Sequence, residues 1–171
     1  MQTYIKIIST VSRLFGYLAA MMILLAVLIT CEMIFVRFVL GHSTVWQTET
    51  VVYLCVGATI LGLPYVQILK GHVNVDLIPS LLPPAYRKIL LAISSLMSIG
   101  IIALMFFYGF EAWEIALSKN WTSDTVNEVP LWLPYLVMPV GFGLYLLQLI
   151  SDMLVQVFGF TNPENLQQEE N

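Results

Sequence analysis

The sequence predicts an all-α integral membrane protein with four transmembrane helices. Residues 14–31, 50–69, 89–110 and 129–151 carry no Asp, Glu, Lys or Arg. Each stretch is close to the roughly 20 apolar residues that a helix needs to cross a hydrocarbon core about 30 Å thick. The chain has only seven Lys and Arg and eleven Asp and Glu among 171 residues, and nearly all lie between or outside these stretches. A water-soluble bundle needs a charged face on each helix, and none is available here.

The elements follow in chain order. Residues 1–13 read as a short amphipathic surface helix, because Tyr4, Ile8, Val11 and Phe15 share a face opposite Lys6 and Arg13. Residues 14–157 form one membrane domain, with spans at about 14–40, 45–69, 87–112 and 130–155. The first apolar run is longer than the core of a signal peptide and is expected to be retained. Thr44 is placed to cap the second helix, with Gln47 three residues later completing a capping box. Pro83 and Pro84 open the third helix, and no proline follows before about residue 120. At 1.5 Å per residue that helix outruns the membrane core. Residues 158–171 read as a flexible tail.

Basic residues near span ends set the orientation. Lys6, Arg13, Lys70, Arg87 and Lys88 fall on one side, and Arg37 and Lys119 on the other. Both termini are therefore expected in the cytoplasm. All four tryptophans, Trp46, Trp113, Trp121 and Trp132, then fall on the outer side. An interfacial aromatic belt accounts for tryptophan at that depth. It does not account for the acids Glu111, Glu114, Asp124 and Glu128 gathered between the third and fourth spans, which suggest a docking surface for an external partner.

Little else in the chain carries chemistry. Polar groups at mid-membrane are costly and usually mark function, yet Thr30, Thr59, Ser94, Ser95 and Ser98 can bond to their own helices. Arg37 and Glu49 are equidistant from a turn near Ser43, so they are expected to pair across the first hairpin. Cys31 and Cys55 read as small buried hydrophobes. His42 and His72 lie at opposite membrane surfaces and cannot jointly hold a haem. No metal-ligand spacing, phosphate loop or basic run is present, so no cofactor, metal or nucleic-acid partner is expected. The pairs Gly16 and Ala20, Ala58 and Gly62, and Ser94 and Ser98 have the spacing that lets membrane helices approach closely.

Arg37, the Gly41-His42-Ser43 turn, Trp46 and Glu49 occur in an order that resembles the DctQ-like family. These are the small membrane subunits of tripartite ATP-independent periplasmic (TRAP) transporters. The segment Gly71-His72-Val73-Asn74-Val75-Asp76, followed by Pro83 and Arg87, is similar to the same family after its second helix. Thr48 stands where the family has a second Glu beside Glu49. The resemblance implies a non-catalytic scaffold in the bacterial inner membrane. A large subunit of about twelve spans would carry the sodium and substrate sites, and a periplasmic binding protein would deliver an organic acid. Arg37, Trp46, Glu49, His72, Asp76 and Arg87 become structural or interface candidates. Glu111, Glu114, Trp121, Asp124 and Glu128 become docking candidates, and membrane lipid a further partner. The competing reading is a small autonomous proton- or cation-coupled transporter, a homodimer working through Glu32.

Overall fold

The computed structural model describes residues 2–69, 84–125 and 127–158. Its first helix, α1, runs unbroken over Gln2–Phe35 and passes directly into a π-helical segment, Val36–Leu40. Helix α2 spans Val45–Ile68, α3 spans Pro84–Ser118, a single turn α4 spans Trp132–Tyr135, and α5 spans Val137–Phe158. Four of these helical stretches are long and apolar enough to cross a membrane: Tyr4–Leu40, Val45–Ile68, Ala92–Ser118 and Trp132–Val155.

The amino-terminal end differs from the expectation of a separate surface helix at 1–13. Nothing between Gln2 and Phe35 breaks the helix, since the stretch contains no proline and Gly16 is its only glycine. Ile5, Ser12, Ala19 and Ala26 are all buried and recur every seven residues. That is the repeat of a left-handed helix pair, and it carries one packing seam from the first turn into the membrane. Ile8 joins the seam, whereas Tyr4 is exposed.

Small residues set the closeness of the bundle. A methyl group at Gly16 would strike the Tyr65 side chain, one at Gly57 would strike Met22, and Gly62 faces Ala19. The expected Ala20 instead lies outward, and Ala19 takes its place in the seam. Helix α5 sits centrally, against α1, α2 and α3, whereas α3 packs on α5 and on the α4 turn. Cys31 and Cys55 are free and exposed, contrary to the buried positions expected of them.

The π-helical segment ends at Gly41, whose φ of 65° is left-handed, with the Gly41 and His42 amides both bonding back to the Val36 carbonyl. A side chain at Gly41 would meet no neighbouring atom, so its cost is backbone strain alone. Gly41→Ala should therefore lower stability by about 1 kcal/mol, and Gly41→Asn by less. Denaturant titration in mixed micelles measures both.

Candidate functional site

Two polar clusters lie at opposite ends of the bundle. One centres on Glu49, in the second turn of α2. Its Oε1 accepts hydrogen bonds from Tyr53 Oη at 2.8 Å and from Ser123 Oγ. Its Oε2 accepts from Thr125 Oγ1 at 2.6 Å. Bonds to a charged acceptor are roughly twice as strong as neutral ones, and here two of three donors come from the connection between α3 and α4.

That connection is itself ordered by backbone bonds. Thr122 and Pro130 form an isolated antiparallel bridge, with Ser123 N donating to Val129 O at 2.9 Å and Leu131 N to Trp121 O at 2.9 Å. Asn120 and Glu128 take left-handed backbones at its two corners. Lys119 Nζ lies 5.6 Å from the Trp121 ring centre, a cation–π contact. The docking candidates Glu111, Glu114, Trp121, Asp124 and Glu128 are all exposed. The Glu49 clip thus fixes an acidic, Trp-bearing loop onto α2.

Two expectations at this corner are corrected. Arg37 does not pair with Glu49, whose carboxylate is occupied by the loop hydroxyls. Arg37 instead lines a separate cavity with His42, Ser43, Thr44, Val45 and Thr48. The capping box does not form either, because the Thr44 side chain makes no cap bond. Gln47 turns into the α1–α2 seam, where it is 2% exposed and donates to Glu32 Oε1 at 3.5 Å. Glu32 is thereby tied to a helix contact. Trp46 is exposed in the first turn of α2. Arg87 falls in the first turn of α3, and His72 and Asp76 lie outside the described residues.

The second cluster, at the other end of the bundle, joins three helices and went unpredicted. Asp152 accepts from Gln67 Nε2 at 2.9 Å through one oxygen and from Gln148 Nε2 at 3.0 Å through the other. Gln148 Oε1 in turn accepts from Ser12 Oγ at 3.3 Å. Ser12 and Ser151 are almost fully enclosed. The signal available in sequence was Gln148 and Asp152, four residues apart on one helix face at the end of an otherwise apolar span. Gln148→Ala should lower stability by about 1–3 kcal/mol by leaving buried partners unpaired, measured by unfolding in mixed micelles. Gln148→Leu, which keeps the volume, separates the hydrogen-bond loss from the packing loss.

Between the clusters the bundle is apolar. Thr30 Oγ1 bonds the Ala26 carbonyl and Thr59 Oγ1 the Cys55 carbonyl, each within its own helix. Among the described residues no group of three or more His, Cys, Asp or Glu could hold a metal ion.

Comparison with known proteins bears on what such a bundle belongs to. The isethionate TRAP transporter permease protein DctMQ of Oleidesulfovibrio alaskensis is 26% identical over 115 residues. The alignment covers 67% of this chain and 18% of that relative, so the chain spans less than a fifth of its length. The family described as "Tripartite ATP-independent periplasmic transporters, DctQ component" matches residues 26–159, which take in the Glu49 corner, the acidic loop and Gln67, Gln148 and Asp152 of the second cluster, though not Ser12. With four helices able to span a membrane and a family match over most of its length, this chain belongs to the DctQ component family of the TRAP transporters.

Proposed function

We propose that the chain is a non-catalytic scaffold subunit of a sodium-coupled, binding-protein-dependent uptake system for organic acids. Its partners are a large membrane subunit that carries the sodium and substrate sites and a periplasmic binding protein. The observation that carries this reading is the separation of the two polar clusters by apolar packing. Each cluster joins helix to helix or loop to helix, so the bundle offers no polar route across the membrane among its described residues. A solute path must then lie in another chain. The lysine and arginine bias supports both termini in the cytoplasm. In that orientation the clipped loop, with Trp121, Asp124 and Glu128, and the end of α3 that carries Glu111 and Glu114 face the periplasm and supply an acidic surface for the binding protein.

Uptake into proteoliposomes under a sodium gradient tests the reading. Solute should enter only when this chain, the large subunit and a loaded binding protein are present together. Isethionate belongs in the solute panel because the DctMQ relative is named for it. Uptake by this chain alone, abolished by Glu32→Gln, would overturn the scaffold role.

A further inference from the structure

We propose that Arg37 and His42 form a site for the phosphate of an anionic phospholipid headgroup, at the end of the bundle where α1 gives way to α2. A cavity of about 320 Å³ opens there, lined by Arg37, His42, Ser43, Thr44, Val45 and Thr48. Neither Asp nor Glu lines it. The acid that sequence spacing offers to Arg37 is Glu49, and that carboxylate is held by Ser123, Thr125 and Tyr53. The Arg37 side chain is exposed, and no ion pair or hydrogen bond joins its guanidinium to a described residue. Its guanidinium is left free to meet an anion from outside the chain.

Phosphate fits the donors present. A guanidinium offers paired N–H groups matched to two phosphate oxygens, and His42 and Ser43, residues that can donate through a ring N–H and a hydroxyl, line the same cavity. The hydroxyl of Thr48 already donates to the Thr44 carbonyl at 3.0 Å. Arg37 is also carried on the π-helical segment, a local widening of the helix that often accompanies functional positions.

The surroundings favour a lipid as the source of the phosphate. Phe38 is 83% exposed, and Val39, Leu40, Val45 and Trp46 are exposed beside it along the chain. A cation bordered by apolar side chains and tryptophan matches the boundary between headgroups and acyl chains. A soluble anion would gain nothing from that apolar rim, whereas a phospholipid gains from both parts.

Native mass spectrometry of the full chain in a neutral detergent tests this, with phosphatidylglycerol as probe and phosphatidylcholine as reference. Phosphatidylglycerol should bind more tightly than phosphatidylcholine. Arg37→Gln should weaken it about tenfold, the scale of one lost charge-assisted bond. Arg37→Lys, which keeps the charge without the planar fork, should weaken it by less and guards against a misfolded Gln variant. Lys119→Gln, at another outer cation, should leave binding unchanged. Equal binding by the native chain and both Arg37 variants would overturn the site. Displacement by millimolar inorganic phosphate would overturn the lipid source and leave a free-anion site. Loss of phosphatidylglycerol binding on assembly with the large membrane subunit would make Arg37 a protein contact, and the proposal would fail.

Discussion

Gly141→Val is expected to prevent assembly of the bundle. Pro64 is fully buried within α2 and has no N–H, so the Ile60 carbonyl one turn earlier loses its helical donor. Helix α5 approaches α2 at that carbonyl through Gly141. A methyl group there would lie 2.9 Å from the Ile60 oxygen and 3.1 Å from its carbonyl carbon. Both atoms are backbone, so relief requires α2 and α5 to move apart along a shared seam. Overpacking a tight core costs about 1–3 kcal/mol, and a branched side chain against backbone belongs at or above the upper end. Gly141→Ala should fall lower in the same range. Gly100→Ala meets no atom within 4 Å and should be neutral or slightly stabilising through helix propensity. Unfolding in mixed micelles ranks all three, and a Gly141→Val bundle as stable as the native one would show that the α2–α5 approach is not tight.

Glu49→Ala is expected to release the connection between α3 and α4 from α2. It removes the single acceptor shared by Tyr53, Ser123 and Thr125. Amide hydrogen exchange across residues 119–131 should quicken, and protease nicking should concentrate there. The yield of complex with the large subunit and binding protein should fall if the loop is their contact. Glu49→Gln keeps the shape but replaces one acceptor oxygen by a donor, so exchange should rise by less. Arg37→Gln separates this account from the hairpin ion pair. It should leave exchange in 119–131 unchanged, whereas an Arg37–Glu49 pair would make the two variants behave alike.

The helices were legible in sequence because lipid imposes a simple rule on composition. Uncharged runs of membrane length located all four spans, and the lack of proline between 85 and 120 marked the long α3. Contacts between helices were harder to read. Pairing Arg37 with Glu49 assumed that residues equidistant from a turn face each other. The π-helical segment alters that register, and a distant loop supplies Ser123 and Thr125 with better geometry. Gln47 had two plausible partners, its own helix cap and Glu32, and burial in the seam decided between them. The Ser12–Gln148–Asp152–Gln67 cluster joins residues more than 80 positions apart, which no local pattern encodes. The seven-residue recurrence of Ile5, Ser12, Ala19 and Ala26 was present in the sequence. It was obscured because two of its members are polar or small in a segment that otherwise looks amphipathic.

The central position of α5 has a consequence for the order of biogenesis. Helices α1 and α2 are neighbours in the chain and can join as soon as both have entered the membrane. The long partner of α3 is α5, which the ribosome makes later. Until then α3 lacks its long helical partner, a condition its apolar surface tolerates well in lipid. Arrival of α5 recruits α3 on one side and completes the Gln67–Asp152 link to the first hairpin on the other. The bundle therefore matures from a hairpin and a later helix into one body, and a nascent chain halted before residue 119, short of the Ser123 and Thr125 bonds to Glu49, would hold two separate pieces.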